Sequence, residues 1–137
     1  MGLYLCAFSE EDEIDGIDVG SYSDYERFVG TIVEILENAE RGSKYPLITL
    51  HSDCDGEWST KDLGTLQANL VEIREAFRKL PAFAIEERWQ KQIAKTHGLK
   101  QDNLSDCFFD VDGEPLLDRL LDLIQKAKAS EVAVLFQ

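Results

Sequence analysis

The chain has 137 residues, 44% hydrophobic and 30% charged, the balance of a folded protein with one sizeable core rather than of a disordered segment. Twenty-seven acids against fourteen bases leave a formal charge of −13. That excess argues against nucleic acid as a partner, because such binding relies on Lys and Arg to neutralise phosphates, and it favours encounter with a basic protein.

Residues 3–8 form an apolar run that predicts a first strand, and the acidic stretch after it, SEEDEIDGIDVGSY, reads as a loop. Ser23 and Glu26 have capping-box spacing. Behind them Tyr25, Phe28, Ile32, Leu36 and Ala39 recur at helical intervals, with Gly42 as the stop. Residues 46–51 predict a second strand running into SDCDGEW. Ser59 and Asp62 make another cap-like pair, ahead of a helix carrying Leu63, Leu66, Leu70, Ile73, Phe77 and Leu80 and ended by Pro81. A shorter helix with Ile85, Trp89 and Ile93 closes at Gly98. Residues 107–111 predict the third strand. Pro115 fits the first turn of a helix whose inward stripe is Leu117, Leu120, Ile124 and Ala127. Residues 132–136 predict the last strand. Strands alternating with helices give an α/β fold, with α+β as the alternative. The expectation is a single layered domain over residues 1–137, its mixed sheet of about four strands accompanied by about four helices.

Two segments echo each other: DCDGEW at 53–58 and DVDGEP at 110–115, each after an apolar run and before a helix. Glycine permits the tight turn, and the acids suit the positive end of the helix that follows. CFFDVDGEPL also resembles the nucleophile loop of haloacid-dehalogenase-type phosphatases, in which one Asp attacks phosphorus, another donates a proton and Mg²⁺ offsets the charge. That machinery needs a downstream Ser or Thr, a lysine and a further acidic pair. Only 23 residues follow Glu114 (137 − 114), and a helix and a strand occupy nearly all of them. Glu114 itself would push a carboxylate at the phosphate. A metal-dependent hydrolase using the DxDGE turns is therefore the weakest reading, and no catalytic residue is assigned.

Calcium fares no better. Aligning Gly56 with the loop glycine of a calcium hand puts His51 first and Asp62 last, and aligning Gly113 puts Phe108 first and Arg119 last. Cys6, Cys54 and Cys107 are odd in number and form no CxxC pair, so neither a disulfide framework nor a zinc finger is implied. No metal and no cofactor are expected. Trp89, spaced with Ile85 and Ile93, reads as core. Trp58, beside a charged turn, either staples that turn or anchors an interface. No apolar stretch reaches membrane-spanning length, and the opening MGLYLCAF lacks a basic leader, so the expected location is cytoplasmic, with no membrane partner.

With MGLYLCAF, EIDGIDVGSYSDYERF, LITLHSDCDGEWS, CFFDVDGEPLLDRLL and the closing VLFQ in order, the chain resembles the immunity protein 70 family of bacterial polymorphic toxin systems from end to end. The resemblance implies a small cytosolic protein, encoded beside a secreted toxin, that binds and neutralises it and carries no established catalytic set. The expected function is a non-enzymatic immunity protein whose cognate toxin is basic, such as a nuclease. The alternative is an acidic regulatory or structural protein-interaction module. Candidate toxin-binding residues are Asp12, Glu13 and Asp15 in the first acidic stretch, Asp53, Asp55, Glu57 and Trp58 in the second, and Asp110, Asp112 and Glu114 in the third. If the strands run parallel, the latter two stretches emerge together at the carboxyl edge of the sheet.

Overall fold

The computed structural model describes residues 2–51, 56–85 and 87–137. Strands β1 (Gly2–Ser9), β2 (Asp12–Ser21), β3 (Glu57–Trp58) and β4 (Val134–Phe136) form one sheet in the order β2-β1-β4-β3. Five α-helices among the described residues accompany it: α1 (Tyr22–Leu36), α2 (Pro46–Thr49), α3 (Leu63–Arg78), α4 (Arg88–His97) and α5 (Leu116–Ala129). This is the expected α/β architecture with four strands. Every pairing is antiparallel, however, so the premise of parallel strands sharing a carboxyl edge does not hold.

The acidic stretch after β1 is β2, not a loop. Ile17 and Val19 are buried while Asp12, Glu13 and Asp18 are exposed. Register shifts skip Val19 and Ile14 in the pairing with β1, and these bulges break the strict alternation by which a strand is recognised. Because β2 runs on to Ser21, the helix cap also moves. Ser21 Oγ accepts the Asp24 N–H at 3.1 Å and Asp24 Oδ2 accepts the Ser21 N–H at 2.8 Å, so the box is Ser21–Asp24 rather than Ser23–Glu26.

Residues 46–51 do not form a strand: Pro46–Thr49 is the short helix α2, entered from a turn built on Glu37. Its buried carboxylate accepts the N–H groups of Gly42 (3.1 Å), Lys44 (2.9 Å) and Tyr45 (2.8 Å) and the Thr49 hydroxyl (3.2 Å). These bonds curl residues 42–45 around the carboxylate, and the Thr49 hydroxyl ties α2 to the same point. Residues 107–111 also fail as a strand. The 3-10 turn Leu104–Cys107 precedes a single antiparallel bridge, Phe109 with Pro115, and Pro115 caps α5 instead of entering it.

The other helices follow their apolar stripes. α3 buries Leu63, Leu66, Leu70, Ile73 and Phe77, and α5 buries Leu116, Leu117, Leu120, Leu123, Ile124 and Ala127. α4 ends on Gly98 at φ 63°, a left-handed cap that glycine adopts freely. Leu3, Leu5 and Ala7 of β1 join these helices in one core, with Phe28 edge-on to Phe108 at 5.3 Å and to Phe77 at 6.5 Å. β4 lies between β1 and β3, and beyond its last residue Tyr4 and Gln137 exchange backbone bonds of 2.8 and 3.3 Å. Among the described residues no helix is long and apolar enough to cross a membrane.

Candidate functional site

The third acidic stretch closes around Asp110. The residue is 3% exposed, and its Oδ1 accepts the N–H groups of Asp112 (2.9 Å) and Glu114 (3.0 Å). Its own N–H donates to the Glu114 carbonyl at 3.0 Å, and Gly113, at φ 82°, donates to the Asp110 carbonyl at 3.0 Å. Burial raises the Asp110 carboxyl above its ordinary value, against the two N–H groups that pull it down. The Val111 N–H then donates to the Asp18 carbonyl at 3.2 Å, fastening the turn to the outer edge of β2.

Arg119, in the first turn of α5, clamps the same two elements. Its guanidinium donates to both Asp15 oxygens, at 3.1 and 3.2 Å, to the Gly16 carbonyl at 2.9 Å and to Asp122 at 3.0 Å. Nε stands 3.8 Å from Asp110, and Lys126 adds contacts of 3.4 Å to Asp15 and 3.1 Å to Asp122. Burial alone would raise the Asp15 carboxyl. The Arg119 hydrogen bonds, the Gly16 N–H and the charges of Arg119 and Lys126 outweigh it and hold the group below its usual value.

These networks sort the expected binding residues. Asp15, half-buried, and Asp110, buried, are both engaged in bonds within the fold. Asp12, Glu13, Asp112 and Glu114 are exposed along the β2 side of the sheet, where Asp18 joins them. Glu13 also accepts the Tyr4 hydroxyl. The structure thus brings the first and third acidic stretches to one edge. Glu57 is exposed on β3, at the opposite edge with β1 and β4 between. Asp53 and Asp55 lie outside the described residues. Trp58 is no exposed anchor: it is 2% exposed, its indole N–H donates to the Leu47 carbonyl at 2.9 Å, and its ring meets Phe136 edge-on at 4.8 Å. It staples α2 to the sheet.

The sequence reading missed an open groove of about 720 Å³ between α1 and α4. Gly20, Ser21, Ser23, Asp24 and Arg27 form one wall, Glu87, Trp89, Gln92 and Ile93 the other, with Val111 between. Trp89 is half-buried instead of core, edge-on to Phe109 at 6.3 Å. A Cβ on Gly20, whose φ is 96°, would stand 3.0 Å from the Trp89 ring, so the glycine allows the indole to lie close. Arg27 braces α4 through Glu87 (3.1 Å) and Gln90 (3.2 Å). Helical spacing makes Trp89 look like core. The polar Gln90 beside it, which takes the buried position, is the one sequence signal that the helix is rotated.

Neither described cysteine suits nucleophilic work: Cys6 and Cys107 are buried, and burial pushes both thiols up. Among the described residues no three His, Cys, Asp or Glu side chains gather closely enough to hold a metal ion. What this surface offers is exposed charge and a groove with one aromatic wall. Residues 3–136 match the protein family described as Immunity protein 70. No curated protein and no solved structure matches the chain.

Proposed function

Since the chain belongs to the immunity protein 70 family, we propose that it binds and neutralises a cognate bacterial toxin by occluding it, with no chemistry of its own. The family match across residues 3–136 carries this reading. The acidic edge of β2 refines it. Asp12, Glu13, Asp112 and Glu114, held in place by the Arg119 clamp and the Asp110 turn, face a basic partner such as a nuclease. Inhibitor carboxylates and substrate phosphates compete for the same Lys and Arg on such a toxin. Glu57 is a second acidic contact, on the far side of the sheet, and Asp53 and Asp55 are carried with it as candidates on the sequence alone. The complex forms in the cytoplasm, where an unsecreted toxin first threatens its producer.

The test uses the product of the adjacent gene. Association rates are measured at low and high salt for the wild type, for Asp12→Asn/Glu13→Gln/Asp112→Asn/Glu114→Gln, and for Asp53→Asn/Asp55→Asn/Glu57→Gln. Steering predicts rates that fall with salt and drop about tenfold in the first variant. Rates indifferent to salt and to both variants remove the acidic edge from the interface. No complex, together with no protection of cells expressing the toxin, refutes the immunity reading itself.

A further inference from the structure

The groove between α1 and α4 carries an excess of negative charge. Among the described residues its charged lining is Asp24 and Glu87 against Arg27, and Arg27 already donates to Glu87 at 3.1 Å and to Gln90 at 3.2 Å. The exposed bases of α4, Arg88, Lys91 and Lys95, have no place in that lining. Each carboxylate also keeps one oxygen in reserve. Asp24 Oδ2 accepts the Ser21 N–H and hydroxyl, each at 2.8 Å, and Glu87 Oε1 accepts Arg27, whereas Asp24 Oδ1 and Glu87 Oε2 take no hydrogen bond among the described residues. The positive end of α1 enters the same wall, and the Ser21–Asp24 box answers it from within the chain.

Beside these acids the wall is aromatic. A Cβ on Gly20 would stand 2.8 Å from Asp24 Oδ2 and 3.0 Å from the Trp89 ring, so carboxylate and indole meet over the same bare stretch of backbone. Ile93 and Val111 extend the apolar surface. A carboxylate next to a half-exposed indole suits a guanidinium: the ring face attracts the cation, the planar fork matches the carboxylate, and the aliphatic stem lies on apolar surface. The groove also continues the acidic edge. The Gly20 N–H donates to Asp18 Oδ1 at 3.1 Å, and Val111, whose N–H holds the Asp18 carbonyl, is followed by the exposed Asp112. A basic surface drawn to β2 therefore meets the groove at its Gly20 and Val111 end, and about 720 Å³ is room for a segment rather than a single side chain.

We infer that this groove anchors the toxin: it receives a basic segment whose arginine side chain lies along Trp89 and Ile93, with the guanidinium at Asp24 and Glu87. The inference rests on the immunity reading for the identity of the partner. It divides the work of binding, because the acidic edge governs how fast the partners meet and the groove how slowly they part. Tryptophan and arginine are also the side chains that most often dominate interfaces, and such residues tend to face each other across them.

Dissociation from the adjacent gene's product is measured for the wild type, for Trp89→Leu, which keeps apolar bulk beside Gly20 and removes the indole, and for Asp24→Asn/Glu87→Gln, each with its melting curve recorded. Arginines of that toxin are then replaced by alanine one at a time and measured against the wild type and Trp89→Leu. The expected result is release about tenfold faster in each variant, with an unchanged association rate in Trp89→Leu. One toxin arginine should lose most of its effect once Trp89 is gone. Wild-type release in both variants overturns the groove while leaving the immunity reading intact. Faster release with no arginine coupled to Trp89 overturns the basic occupant. Self-association of the protein alone that Trp89→Leu abolishes would assign the groove to a second copy, also against the inference. A toxin that does not bind the wild type at all refutes the immunity reading, and this inference falls with it.

Discussion

Replacing Arg119 by methionine keeps the aliphatic stem and deletes the charge that joins β2, α5 and the Asp110 turn. The Arg119 side chain is 22% exposed, Asp15 15% and Asp110 4%. The substitution removes both bonds to Asp15, the bond to the Gly16 carbonyl, and the counter-charge 3.8 Å from Asp110. Breaking a fully buried pair by deleting one partner costs about 3–5 kcal/mol. Here Asp15 keeps Lys126 and the Gly16 N–H, and part of the site is wet, so the expected cost is about 2–3 kcal/mol. Asp15→Asn alone should cost about 1–2 kcal/mol, and the double variant should fall short of the sum by a similar amount. Urea unfolding followed by circular dichroism reads all three, with unchanged slopes showing that stability alone has moved. A loss in Arg119→Met below about 0.5 kcal/mol, or strict additivity of the two changes, would refute the clamp.

Two further perturbations test the turns around the site. Gly113→Ala places a Cβ 3.0 Å from the His97 ring and 3.3 Å from Ile93, at φ 82°. It should cost about 1 kcal/mol or more and displace α4 enough to shift Trp89 fluorescence, whereas an unchanged melt would remove the argument. Glu37→Gln leaves one carboxamide oxygen where two carboxylate oxygens took four donors, for a loss of about 2 kcal/mol in urea unfolding. It also tests the acid response. Burial would raise the Glu37 carboxyl, but the N–H groups of Tyr45, Lys44 and Gly42 and the Thr49 hydroxyl outweigh it and lower the group, as Arg119 does for Asp15. An acid with a depressed folded-state pKa contributes stability that is complete above its unfolded value, near about 4, and is lost as pH falls through the folded one. Asp110, shifted upward, acts with the opposite sign and offsets part of this loss. Midpoints measured from about pH 7 to about pH 3 should therefore fall, and fall less steeply in Glu37→Gln; equal slopes would refute the assignment.

Long apolar stripes were legible in the sequence because a helix that must bury one face writes its period into its residues. α3 and α5 are read that way almost to the residue, and Gly98 marks the end of α4. The failures share a cause, which is control from a distance. Residues 46–51 have the composition of a strand, but they follow a turn curled around Glu37, whose burial no local pattern announces, and enter α2 at Pro46. β2 hides behind its acids and its two bulges. The capping box slipped because Ser21–Asp24 and Ser23–Glu26 overlap, and only the extent of β2 decides between them. At the site, the exposed fate of Asp112 and Glu114 follows from Asp110 being the inner residue of its turn. Spacing alone gives the two aspartates the same standing. The groove needed two elements far apart in sequence, Gly20–Arg27 and Glu87–Ile93, and no single window contains both.

The position of β4 has a temporal consequence. Among the described residues β3 has no strand neighbour except β4, and both the Trp58 and His51 rings rest on Phe136. The seam that joins β1 to β3 is therefore supplied by residues 134–136, which leave the ribosome after every other strand and helix of the fold. Until then the β1–β2 hairpin has an unpaired inner edge, and Trp58, beside the His51 ring at 5.9 Å, lacks the Phe136 ring. Folding of the chain can be prepared by its helices, but the sheet is finished only once β4, last of the fold's elements in chain order, is in place.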